Sequence, residues 1–67
     1  MKTRDVLRAV LADGWREVPS KGGHRQFTHP TKPGRVTVPF HGMNADLSPK
    51  VVLSIERQGG LRLKESR

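Results

Sequence analysis

Sixty-seven residues with no cysteine make one small domain, which buries only about 60% of its unfolded surface and has no disulfide or thiolate metal site to brace it. Thirteen Lys and Arg against six Asp and Glu give a net charge of +7, a field that draws polyanions. Val, Leu and Ile around Trp15, Phe27 and Phe40 form too thin a core to enclose a deep pocket, so whatever the chain does, it does on a face. No stretch nears the ~20 apolar residues of a membrane span. No signal-peptide core follows Met1, and the basic residues are spread along the chain rather than gathered on one amphipathic helix. The expected location is the cytoplasm, away from membranes.

Thr3 is placed to cap a first helix whose apolar stripe is Val6, Leu7, Val10 and Leu11. Gly14 supplies a left-handed residue to end it. Trp15 to Val18 reads as short and extended, Trp15 being a core anchor, and stops at Pro19-Ser20-Lys21-Gly22-Gly23. From His24 to Thr28, alternation sets Phe27 and Arg25 on one face and His24, Gln26 and Thr28 on the other. In the next strand Val36, Val38 and Phe40 face one way, and Arg35, Thr37 and Pro39 the other. Pro33-Gly34 suits the centre of a type II turn. Ser48 then caps a second helix with Pro49 in its first position, Leu47 stapling onto Val52, and Val51, Val52 and Ile55 as its buried stripe. Gly59-Gly60 ends it, Leu61 folds back on Ile55, and 62–67 is a charged, frayed tail.

The order helix, three strands, helix within a single domain over 1–67 predicts an α+β fold. Its economical form is a three-stranded antiparallel sheet with both helices on the face of Phe27, Val36 and Val38. The face carrying His24, Gln26, Thr28, Arg35 and Thr37 is then left to solvent, polar and basic. Double-stranded RNA-binding domains share this α-β-β-β-α order, although a shared fold carries no function by itself.

Read from the residues alone, His24 is either an ordinary exposed hairpin histidine or a proton-transferring group in a positive field. RNA carries its own nucleophile, the ribose 2′-hydroxyl, so a protein that cleaves it must take that proton and steady the crowded phosphorane. An imidazole suits the first task near neutral pH. Guanidinium and ammonium groups suit the second. Lys21, Arg25, Lys32 and Arg35 are the cationic candidates, and Gly22-Gly23 offers either a phosphate nest or a plain flexible turn. His29, before Pro30, is a turn residue, and His41 a polar group at a strand end. The wide spacing of the three histidines, with no acidic residue beside them, does not compose a zinc site. No leaving-group acid is evident, which points to a slow enzyme.

An ordered set of features resembles the HicA toxins of HicA–HicB toxin–antitoxin systems over nearly the full length. The opening helix ends in Asp13-Gly14-Trp15, and Gly23-His24 forms the turn. Pro33-Gly34-Arg35-Val36-Thr37-Val38-Pro39 gives the strand pair, His41 follows, and the closing helix runs through Ile55-Glu56-Arg57-Gln58 to Gly59-Gly60-Leu61. The resemblance implies a double-stranded-RNA-binding-domain-like fold, ribosome-independent cleavage of mRNA without a cofactor, and catalysis by His24. It also implies a HicB-like antitoxin covering the His24 face. The family often has serine before this histidine and a second histidine after it; here Gly23 and Arg25 stand there, one removing a hydroxyl, the other a proton donor. A noncatalytic RNA-binding module with the same basic face is the alternative. An exposed edge strand leaves room for weak pairing of two copies.

Overall fold

The expected elements form in the expected order in the computed structural model, which describes residues 1–63. They are α1 (Thr3–Ala12), β1 (Arg16–Val18), β2 (His24–Thr28), β3 (Val36–Pro39) and α2 (Pro49–Gly59). The strands make one antiparallel sheet in the order β1-β2-β3. Val6, Leu7 and Val10 of α1, Val52 and Ile55 of α2, and Phe27, Val36 and Val38 of the sheet share one buried core with Trp15. Both helices therefore lie on the sheet face that carries Phe27.

The start of α1 differs from the expected side-chain cap. Lys2 occupies the cap position and makes no capping bond. The first helical N–H groups are met instead by carbonyls of the loop before α2, Thr3 N–H on Ala45 O at 2.9 Å and Arg4 N–H on Met43 O at 3.0 Å. Thr3 is fully buried, and its hydroxyl donates to the Ala45 carbonyl at 2.8 Å. This shifts the buried stripe to Thr3, Val6, Leu7 and Val10, and Leu11 is left 55% exposed.

α2 forms as its sequence dictates. Ser48 Oγ accepts from Val51 N–H, Pro49 opens the helix, and Gly60 closes it in the left-handed region with φ 56°. A Cβ at Gly59 would stand 3.1 Å from Val36 Cγ2, so glycine lets the last turn lie against β3. That approach brings the Gln58 carboxamide onto the sheet edge. Its Oε1 accepts Thr37 N–H at 2.8 Å, while its Nε2 donates to Ser54 Oγ at 3.1 Å. Leu63, expected in the frayed tail, is instead fully buried, and its N–H meets Glu56 Oε2 at 2.7 Å. The remainder of that tail, 64–67, lies outside the described residues.

Candidate functional site

Strand alternation decides which groups meet. Antiparallel register sets His24 opposite Pro39, Gln26 opposite Thr37 and Arg25 opposite Val38, and Arg16 opposite Thr28. Residues directly opposite share a face. His24, Gln26, Thr28, Thr37 and Arg16 thus stand on the side away from the helices. Arg35 joins them, its Nη1 donating to Gln26 Oε1 at 2.9 Å. Arg16 escaped the sequence reading. Its signal was the inward Trp15 and Glu17 on either side of it, a pattern short enough to overlook in a three-residue strand.

His24 opens β2 at the end of a turn in which Gly22 has φ 76°. Its backbone is fixed: Ser20 Oγ donates to the His24 carbonyl at 2.7 Å, and Phe40 N–H to the Gly23 carbonyl at 2.7 Å. The imidazole is exposed, and among the described residues its nitrogens have no hydrogen-bond partner. Lys21 and Arg16 are likewise exposed and unpaired among the described residues. The site is a bare imidazole on a polar face, with the free Lys21 just before it in the turn and the free Arg16 across from Thr28 at the other end of β2.

Arg25 and Lys32, both expected to meet phosphate, are engaged by the protein itself. Arg25 lies on the helix side of the sheet, where Nε and Nη2 grip both oxygens of Glu17 at 2.8 and 2.6 Å. Its guanidinium also stacks 5.0 Å over the Phe40 ring. The hydrogen bond from Arg25 holds the Glu17 carboxyl below its usual range, and Glu17 raises Arg25 in return. Lys32 Nζ donates to Asp13 Oδ2 at 2.6 Å and to the Gly59 and Gly60 carbonyls at 3.1 and 3.3 Å. Those three acceptors match an ammonium's three donors, and they tie the ends of both helices together.

His29 is occupied as fully as His24 is bare. Its Nδ1 receives the N–H groups of Thr31 and Lys32, each at 3.1 Å, so Nδ1 is an acceptor and Nε2 carries the proton. Nε2 then donates to the Asp13 carbonyl at 2.7 Å, with the ring edge-on to Trp15 at 5.1 Å. A Cβ at Gly14, whose φ is 100°, would fall 2.8 Å from His29 Nε2, which accounts for the glycine there. Trp15 Nε1 donates to Asp13 Oδ2 at 3.1 Å. Lys32, and after it Trp15, keep the Asp13 carboxyl below the ordinary range against the opposing effect of desolvation.

No three His, Cys, Asp or Glu side chains cluster to hold a metal ion among the described residues. No described helix is long and apolar enough to cross a membrane. Open grooves of about 560 and 450 Å³ lie on the helix side, sharing Leu61 and Arg62, and His24 lines neither. A search among curated proteins found no match for the chain. The family model described as the HicA toxin of bacterial toxin–antitoxin systems, however, matches residues 3–61. That span takes in both helices, the whole sheet and the His24 turn, and the chain belongs to the HicA toxin family.

Proposed function

We propose that this toxin is an endoribonuclease that cuts mRNA by transesterification, with His24 as its proton-transferring group. The observation that carries the reading is the bare His24 imidazole on a polar sheet face, in a chain of net charge +7. His24 takes the 2′-hydroxyl proton, and the 2′-oxygen attacks the adjacent phosphorus. Lys21 and the Gly22-Gly23 amides hold the phosphate at His24 and spread its growing charge, while Arg16 and Arg35, toward the Thr28 end of β2, hold the flanking RNA backbone. Arg25 and Lys32 support the face from behind. The products are a 2′,3′-cyclic phosphate and a free 5′-hydroxyl, and DNA is spared for want of the nucleophile. The antitoxin in this reading is an acidic, HicB-like protein that covers the His24 face.

The test is cleavage of an unstructured RNA by purified protein in EDTA, beside His24→Ala. The expected outcome is cutting by the parent alone, with cyclic phosphate ends. Equal binding with no cutting by either protein would make the chain a noncatalytic RNA-binding module.

A further inference from the structure

Cleavage by transesterification needs a second proton transfer that His24 alone does not supply at the same moment. Attack and departure occur in line, so the leaving 5′-oxygen lies across the phosphorus from the 2′-oxygen. A base on one side requires an acid on the other. Resting on the ribonuclease reading above, we propose that His41 is that acid.

Three observations converge on it. Of the three histidines in the chain, His29 has both nitrogens occupied by the protein. His24 and His41 are exposed, and the ring nitrogens of both are unpartnered among the described residues. Second, the β2–β3 ladder runs past the end of the strand: His24 faces Pro39, and Phe40 N–H still bonds Gly23 O at 2.7 Å. Val36 and Val38 are buried, and Phe40 packs against the same core beneath Arg25. The ladder therefore holds through Phe40, and His41, the next residue, stands in a bend just past β3, two residues along from the Pro39 that faces His24. Third, the segment after His41 is pinned, since Met43 and Ala45 carbonyls accept the first N–H groups of α1. His41 is held from both sides.

This role sets the two rings about 7–8 Å apart, the spacing of diagonal cross-strand neighbours. That gap admits a phosphate whose attacking and leaving oxygens each reach one ring at hydrogen-bond distance, about 2.6–3.2 Å. In the step, the 2′-O–P bond forms and the P–O5′ bond breaks. The 2′-hydroxyl proton passes to neutral His24, and the proton of cationic His41 passes to the departing 5′-oxygen. Exchange with water resets both rings.

The experiment compares RNA with a nucleoside 3′-(4-nitrophenyl phosphate), whose nitrophenolate leaves without a proton. His41→Ala is expected to slow RNA cleavage about a hundredfold while cutting the nitrophenyl ester within a few-fold of the parent. His24→Ala loses both. Equal losses on the two substrates, or undiminished RNA cleavage, would overturn the role of His41 while leaving that of His24 intact. A parent inactive on both substrates would overturn the ribonuclease reading and this one with it. His41 is exposed, so unchanged melting of the variant separates chemistry from misfolding.

Discussion

β2 has a histidine at each end: His24 begins it and His29 follows its last residue. At the His29 end both ring nitrogens are met from within the protein, and Trp15, Asp13, Lys32 and Gly14 close around the ring. At the His24 end the backbone is just as firmly tied, yet the side chain meets only solvent. A filled imidazole is architecture, because using its proton elsewhere would break the bonds that hold it. A bare one on a rigid backbone is free to serve a ligand.

The sharpest way to break that contrast is to remove each ring in turn. His24→Ala should lower RNA cleavage by a factor of about 10²–10⁴ and leave the melting temperature unchanged, as measured by single-turnover cleavage and circular dichroism. His29→Ala should do the reverse. Losing the bonds to Asp13, Thr31 and Lys32 should destabilise the fold by about 1–3 kcal/mol, lowering the melting temperature by about 4–8 °C per kcal/mol in a domain of this size. Cleavage by its folded fraction should persist.

A smaller effect should follow pH. The Asp13 carboxyl is held low in the folded state, first by Lys32, so its contribution is complete above the unfolded carboxylate range and fades as pH falls below about 4. Lys32→Met should flatten the melting temperature against pH between about 6 and 2, because the variant has already lost the pair. The smallest effect separates free cations from engaged ones. Arg16→Gln should weaken RNA binding a few-fold and lower the slope of log affinity against log salt by about one. Lys32→Gln should leave that slope unchanged. Fluorescence anisotropy over a salt series reads both.

Local signals carried much of this molecule. The Ser48-Pro49 start and Gly60 end of α2 need only neighbours in sequence, and strand alternation separated His24 from Phe27 before any contact was known. Long-range partners were another matter. Thr3 looks like a cap because hydroxyl residues cap helices, yet its hydroxyl is taken by Ala45, distant in sequence. Lys32 looks like a phosphate ligand because a loop lysine usually faces water. Nothing local says that Asp13 and the end of α2 converge on it.

The edge of β3 has a further consequence for how copies of this molecule meet. With Phe40 N–H turned toward β2, alternation turns the nitrogens of Thr37 and Pro39 outward. Gln58 takes the first, and proline has no hydrogen to offer. A sheet open at both edges can be copied end to end without limit, each molecule extending the last into a fibre. Here the outward nitrogens of β3 offer no free N–H, which leaves the β1 edge, among the described residues, for strand-to-strand contact. Pairing through the sheet then stops at two, and a strand borrowed from any other protein has one place to add.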